Sequence, residues 1–212
     1  MAPDIQVWSV SLAGAGLDTT LLSDDERARA RGLARLDVRR RFVTTRSWLR
    51  RILGNTLAVD PRALRFVVAV GGKPRLVHPA GDLEFNVSHA HDLAVIALGR
   101  GVPVGVDVEW VHRRIQVPRL ARRMFRSDDA ERLVALDEPE RTARFLLSWT
   151  RHEAQAKATG RGIAMRPWGL TLAPDFSAGM WGQSFEPAAD YVATICAPLP
   201  PRDVQFCVRA LP

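Results

Sequence analysis

Residues 105–110 read GVDVEW, and the alternation in this stretch decides how the chain is organised. On a strand, positions i and i+2 share a face. Asp107 and Glu109 therefore project together, while Val106, Val108 and Trp110 turn the other way, into a core. Two carboxylates side by side on a half-buried strand repel each other, which costs stability unless a cation lies between them. A polar strand face that simply meets water is the plainer reading. The strand also marks a division, because the order strand, long helix, strands occurs on both sides of it. That order predicts a mixed α+β fold of two similar α/β lobes related by a pseudo-two-fold axis. The lobes are residues 1–100 and 101–212, with a site in the cleft between them.

Upstream, Ile5–Leu12 alternates as a strand. Ser23 with Glu26 three residues later reads as a capping box that starts a helix near Asp24. Residues 39–57 carry Phe42, Trp48, Leu49, Ile52 and Leu53 at helical spacing, with Arg41, Arg46 and Arg50 on another face. Short β-rich runs follow at 64–70, 83–88, 93–98 and 102–111. Gly71 to Pro74 form a turn, and Gly99-Arg100-Gly101 is expected to join the last two runs as a hairpin. Downstream, helices are predicted at 118–125, 128–136 and 138–159, stopped by Gly160 and Gly162. Strands are predicted at 169–173, 191–197 and 204–211.

The chain has 212 residues, enough to bury a sizeable core, with 47% hydrophobic and 25% charged residues. The N-terminus lacks a basic, then apolar, leader pattern, and no run approaches the roughly 20 apolar residues that span a bilayer. The expectation is a cytoplasmic protein with no membrane partner, in which Cys196 and Cys207 are buried thiols. A formal charge of +7 calls for an acidic partner. Nucleic acid is disfavoured: the arginines are spread along helices among Asp and Glu, and neither zinc-finger spacing nor an aromatic RNA-recognition signature occurs.

A second segment, WTRHEAQAKATGRG at 149–162, sets Glu153 and Lys157 four residues apart on one helical face. An exposed ion pair would explain that spacing, yet Phe145, Leu146, Trp149, Ala154 and Ala156 pack the same helix against a core. Of the 30 Lys and Arg residues only Lys73 and Lys157 are lysine, so a lysine here marks a place where arginine would not serve.

Taken together, Gly105-Val-Asp107-Val-Glu109 and Trp149-Thr-Arg-His152-Glu153-Ala154-Gln-Ala-Lys157-Ala-Thr-Gly160-Arg-Gly162 resemble the two hallmark motifs of the 4′-phosphopantetheinyl transferases, in particular the larger, pseudo-dimeric kind acting on carrier proteins. Gly72-Lys73-Pro74, Asn86-Val-Ser88-His89, Phe42 with Arg46 and Arg50, and Phe125-Arg-Ser127 with Glu131 follow the family pattern in order. The resemblance covers residues 21–175. It implies transfer of the phosphopantetheine arm of coenzyme A to a serine of an apo acyl or peptidyl carrier protein, with release of 3′,5′-ADP. Mg²⁺, or Mn²⁺ in its place, would be held by Asp107, Glu109 and Glu153. Glu153 would act as general base and Lys157 would bind and protonate the leaving phosphate. Arg41, Arg46, Lys73, Pro74, Ser88, His89, His152 and Lys157 would contact coenzyme A. The two-lobed architecture implies a monomer that forms its site internally.

The family usually has lysine where this chain has His152. A nearby pyrophosphate should favour the imidazolium, making His152 a pH-dependent phosphate contact. A His152→Lys variant is then expected to hold its activity better above neutral pH, as read from a pH–rate profile. The basic balance suits an acidic carrier, and Arg113, Arg114, Arg119, Arg122 and Arg123 with Met124 and Phe125 form the expected docking surface.

Overall fold

A computed structural model describes residues 4–14, 16–68, 74–160, 169–173, 176–198 and 200–209. The first half holds β1 (Ile5–Ser11), α1 (Asp24–Gly32), α2 (Leu36–Leu57), β2 (Arg65–Val68), β3 (Pro74–His78), β4 (Leu83–Ala90) and β5 (Leu93–Arg100). The second holds β6 (Gly105–Trp110), α3 (Val117–Met124), α4 (Ser127–Ala135), α5 (Glu140–Ala158), β7 (Met180–Phe185), β8 (Tyr191–Pro198) and β9 (Val204–Arg209). The fold is mixed α+β. Its strands form a sheet of order β4-β5-β1-β9, a sheet of order β6-β8-β7, and the two-stranded β2-β3 ribbon.

The two larger sheets pack face to face. Ile5, Val7, Leu93, Val95 and Ala97 of the first meet Val104, Val106, Val108, Ala193, Ile195 and Ala197 on the side of the second. On the outer face of the first sheet, α2 buries Leu49, Ile52 and Leu53 against Phe85, Ile96 and Leu98. Each such side chain contributes about 1.5–3 kcal/mol by leaving water. On the outer face of the second sheet, α5 lays Ala154 and Ala158 against Cys196. The result is four layers: helix, sheet, sheet, helix. Strand β5 lies inside this stack with both faces covered, which is why LAVIALG shows no polar alternation.

Local signals account for several element ends. Ser23 accepts the Glu26 amide at 3.3 Å and Glu26 accepts the Ser23 amide at 3.0 Å, the reciprocal capping box expected at α1. Gly160, at φ +68°, adopts the left-handed conformation that stops α5. The turn at Gly71 to Lys73 and the second stop glycine, Gly162, lie outside the described residues.

Three expectations are corrected. Strands β5 and β6 do not form a hairpin, because both edges of β5 are taken, by β4 and β1, and β6 pairs with β8 instead. Residues 169–173 contribute only an isolated bridge, Leu170 beside Phe125, rather than a strand. Strand β7, MWGQSF, was not expected: glycine, glutamine and serine weaken its propensity. Gly182 leaves the space that the Phe176 ring occupies, a contact that sequence does not reveal.

Candidate active site

Strand β6 is an edge of its sheet, and its outer amides are bonded by side chains rather than by another strand. Asn86 Oδ1 on β4 accepts from the Val106 amide at 2.9 Å, and Ser88 Oγ from the Val108 amide at 3.4 Å. The edge strands of the two sheets thus run side by side, joined through the Asn-x-Ser pattern of β4. At this seam the odd residues of β6 face α5. Asp107 Oδ1 accepts from Lys157 Nζ at 2.6 Å and from Ser88 Oγ at 2.9 Å. Lys157 Nζ also donates to the Val106 carbonyl at 3.1 Å and to Ser88 Oγ at 3.3 Å. Three separate elements, β4, β6 and α5, therefore converge on one carboxylate.

Gly105 permits that convergence. A Cβ there would overlap the Ala154 carbonyl oxygen and the Ala158 amide, so only glycine lets α5 lie this close to β6. The close approach brings Lys157, from the middle of the sequence pattern on α5, within reach of a carboxylate 50 residues upstream.

Asp107, Glu109 and Glu153 are all buried, at 6%, 9% and 7% exposure. Burial raises the pKa of Glu153 most, the charges of Asp107 and Glu109 raise it further, and Lys157 opposes them. Burial also raises Glu109 above the usual carboxylate range, with Asp107 adding to the effect and Arg113 opposing it. Arg113 Nη1 lies 2.6 Å from Glu109 Oε1. Asp107 Oδ2 is buried with no hydrogen-bond partner. The bland readings of both motifs, a solvated strand face and an exposed helical ion pair, do not describe these groups.

This donor set suits a hard divalent cation: oxygen ligands only, one buried oxygen without a partner, and two carboxyls each disfavoured by the charge of the others. Among the described residues, no three acidic, histidine or cysteine groups already gather closely enough to hold an ion by themselves. Mg²⁺ commonly takes one or two carboxylates and completes its shell with water and substrate phosphates, and these residues fit that manner of binding.

The other expected site residues divide. Arg41 approaches Asp92 at 3.4 Å. His89, on a solvent-exposed surface of β4, is nevertheless crowded enough that desolvation lowers its pKa, followed by the charges of Arg41 and Lys157. Ser88 and Lys157 therefore meet at Asp107, and His89 lies near enough to Arg41 and Lys157 to be acted on by their charges. Arg46 does not join them. Its contacts are Glu26 at 3.8 Å and the rings of Phe42 and Phe66, within the packing of α1 and α2. Pro74 begins β3, and Lys73 lies outside the described residues. His152 sits beside the Trp149 ring, and burial lowers its pKa, so without a bound anion it is held toward the neutral form. The expected docking surface also changes: the five arginines are exposed, but Met124 and Phe125 are buried in the α3–α4–α5 core. Sequence reading missed Asn86 as the cap of β6, Arg113 as the partner of Glu109, and Asp92 as the partner of Arg41. The Glu109–Arg113 spacing was visible, but not that the strand ends in a turn that folds the arginine back.

The sequence model of the 4′-phosphopantetheinyl transferase superfamily matches residues 103–196, from the approach to β6 through most of β8. A Synechocystis sp. protein named as a candidate 4′-phosphopantetheinyl transferase is 36% identical over 171 residues, 77% of this chain and 68% of that protein. The chain belongs to the 4′-phosphopantetheinyl transferase superfamily. It is also similar to 4′-phosphopantetheinyl transferase HetI of Nostoc sp., 38% identical over 145 residues, 68% of this chain and 61% of that one. The similarity to 4′-phosphopantetheinyl transferase psf-1 of Bacillus pumilus is 30% over 143 residues, 68% of this chain and 60% of that one. The chain thus spans about three fifths of the length of two of these superfamily members and about two thirds of the third.

The raised pKa of Glu153 has a consequence for stability. A carboxyl that binds its proton more tightly when folded stabilises the protein below its unfolded value, 4.5, and loses that contribution as pH rises through the folded value. In chelator, wild type should therefore become progressively less stable relative to Glu153→Gln as pH rises from 4.5. The difference in Tm between the two proteins measures this, and a pH-independent difference would contradict it. The lowered pKa values of His89 and His152 give the opposite slope, but they are common to both proteins and cancel.

Proposed function

We propose that the chain transfers the 4′-phosphopantetheine arm of coenzyme A to the serine of an apo acyl or peptidyl carrier protein. The observation that carries this reading is the convergence of Ser88, Asp107 and Lys157, with Glu153 buried one helical turn from Lys157, at the seam between the two sheets. Lobes of residues 1–100 and 101–212, related by a pseudo-two-fold axis and forming the site within one monomer, are the organisation that fits it. The last strand, β9, crosses back to pair with β1.

In this reading the carrier serine Oγ forms a bond to the phosphorus next to the pantetheine arm, and the bond from that phosphorus to 3′,5′-ADP breaks. Glu153 takes the serine proton, directly or through a water. Lys157 holds the phosphate and gives a proton to the leaving oxygen; an ammonium can do so, whereas a guanidinium effectively cannot. Asp107, Glu109 and Glu153 would hold Mg²⁺, which supplies positive charge against the diphosphate when bound. Arg41 and His89 would meet phosphate oxygens of coenzyme A, with Asp92 giving up Arg41. Arg46, Lys73, Pro74 and His152 remain candidates for the same cosubstrate.

The test is a mass measurement. With Mg²⁺, coenzyme A and an apo carrier protein, the carrier should gain one phosphopantetheine arm, and 3′,5′-ADP should appear in equal amount. Neither product would form if the reading were wrong. The arginines of α3 and the loop before it supply the surface for an acidic carrier. Reversing Arg119 and Arg122 to glutamate should raise KM for the carrier about tenfold while leaving KM for coenzyme A unchanged. Unchanged carrier kinetics would remove this surface from the proposal.

A further inference from the structure

A partly buried chain of hydroxyls joins α5 to β7 and β8. Arg151 Nε donates to Ser184 Oγ at 3.3 Å, Ser184 Oγ lies 2.9 Å from Thr194 Oγ1, and Thr194 Oγ1 lies 3.0 Å from Thr150 Oγ1. Thr150 Oγ1 in turn donates to the Leu147 carbonyl at 3.0 Å. Only one direction satisfies every group. The arginine can only donate, the carbonyl can only accept, and each hydroxyl has a single proton, so the bonds run from Arg151 through Ser184, Thr194 and Thr150 to Leu147. Both ends lie on α5, and the middle crosses β7 and β8.

We propose that Thr150, Thr194 and Ser184 are positioning residues: a hydrogen-bonded rail that fixes the register of α5 against β6 and so aims Glu153 and Lys157 at Asp107. The role rests on the transferase reading above. Three placements carry it. Thr194 is the cross-strand neighbour of both Asp107 and Ser184, so the three side chains form one row across the sheet on the face toward α5. Thr150 lies three residues before Glu153 and seven before Lys157, on the same side of the helix. Beside the polar contacts that Lys157 makes with β6 and β4, the packing of α5 on this sheet is small and apolar, formed by Ala154 and Ala158 on Cys196, and apolar contact is non-directional.

Thr150 and Thr194 are both fully buried, at 0% exposure. Valine has the same shape, and a buried polar pair replaced on both sides by apolar groups is often neutral or stabilising. Threonine here therefore adds little to stability that valine would not; it adds direction. A shift of α5 along the sheet would break the rail, and a shift of about 1 Å in a catalytic group can cost up to about 100-fold in rate.

The experiment compares wild type with Thr194→Val, Thr150→Val/Thr194→Val and Thr194→Ser in the full chain. The readouts are phosphopantetheine transfer, Tm and amide hydrogen exchange across α5. Both valine variants should lose about tenfold or more in kcat and leave KM for coenzyme A within about twofold, and the double variant, in which both buried partners become apolar, should keep or raise Tm. Exchange along α5 should rise, and Thr194→Ser should restore both kcat and protection. A wild-type kcat in the valine variants would overturn the proposal, as would a loss that serine does not restore. If the valine variants fold poorly, Ser184→Ala, at the partly exposed link, must lower kcat without raising KM; an unchanged kcat overturns the proposal there too. A wild type without transfer activity would reject the transferase reading instead. The rail would then stand or fall on the α5 exchange difference alone.

Discussion

Glu153→Gln should lower kcat by about 10²–10⁴-fold, the range expected when a positioned general base is removed. The side chain is buried one helical turn from Lys157 and is the carboxylate that α5 supplies to the site. Glutamine keeps the shape and the hydrogen-bonding reach but cannot accept the serine proton. Coenzyme A binding, measured by calorimetry on the same variant, should weaken far less than turnover falls. If turnover and affinity fell by the same factor, Glu153 would be a binding residue and another group would have to take the proton.

Asp107→Ala should be the most destabilising single change at the site. It removes the carboxylate nearest the Lys157 ammonium and leaves that ammonium at the seam beside the Val106 carbonyl and Ser88 Oγ. Removing one partner of a buried pair costs about 3–5 kcal/mol, and because Lys157 retains some exposure the expected loss is about 2–4 kcal/mol. Urea denaturation should give a lower midpoint at an unchanged m-value. Lys157→Met in the same background should recover much of the loss, because the cation that lost its nearest carboxylate is then gone. A midpoint equal to wild type in the single variant would mean that solvent reaches Lys157 freely and that the pair contributes little.

Much of this was legible in the sequence because it depends on short-range periodicity. The i, i+2 spacing put Asp107 and Glu109 on one face, the i, i+4 spacing put Glu153 and Lys157 on another, and Ser23 with Glu26 marked the start of α1. The joint order of the motifs indicated the family. What escaped was set by contacts far apart in the chain. Whether β6 would pair with β5 or with β8 depends on which edges are already occupied, and no local pattern carries that information. The helical spacing of Arg46 left its contacts open, and in the structure these are Glu26, Phe42 and Phe66. Met124 and Phe125 looked like a docking patch beside the arginines, but a second helix and α5 cover them. Strand β7 was missed because its residues suit a neighbour's ring rather than a strand propensity scale.

The bonding of Val106 and Val108 to Asn86 and Ser88 has a consequence beyond catalysis. A strand that ends a sheet offers a row of unsatisfied amides to any other extended chain, and proteins that leave such a row open tend to aggregate through it. Here the row that borders the reactive groups is closed by side chains, so no ladder has to form between the sheets and no foreign strand is invited in. The same two short residues that join the edge strands of the two sheets also keep that seam from becoming a template for self-association.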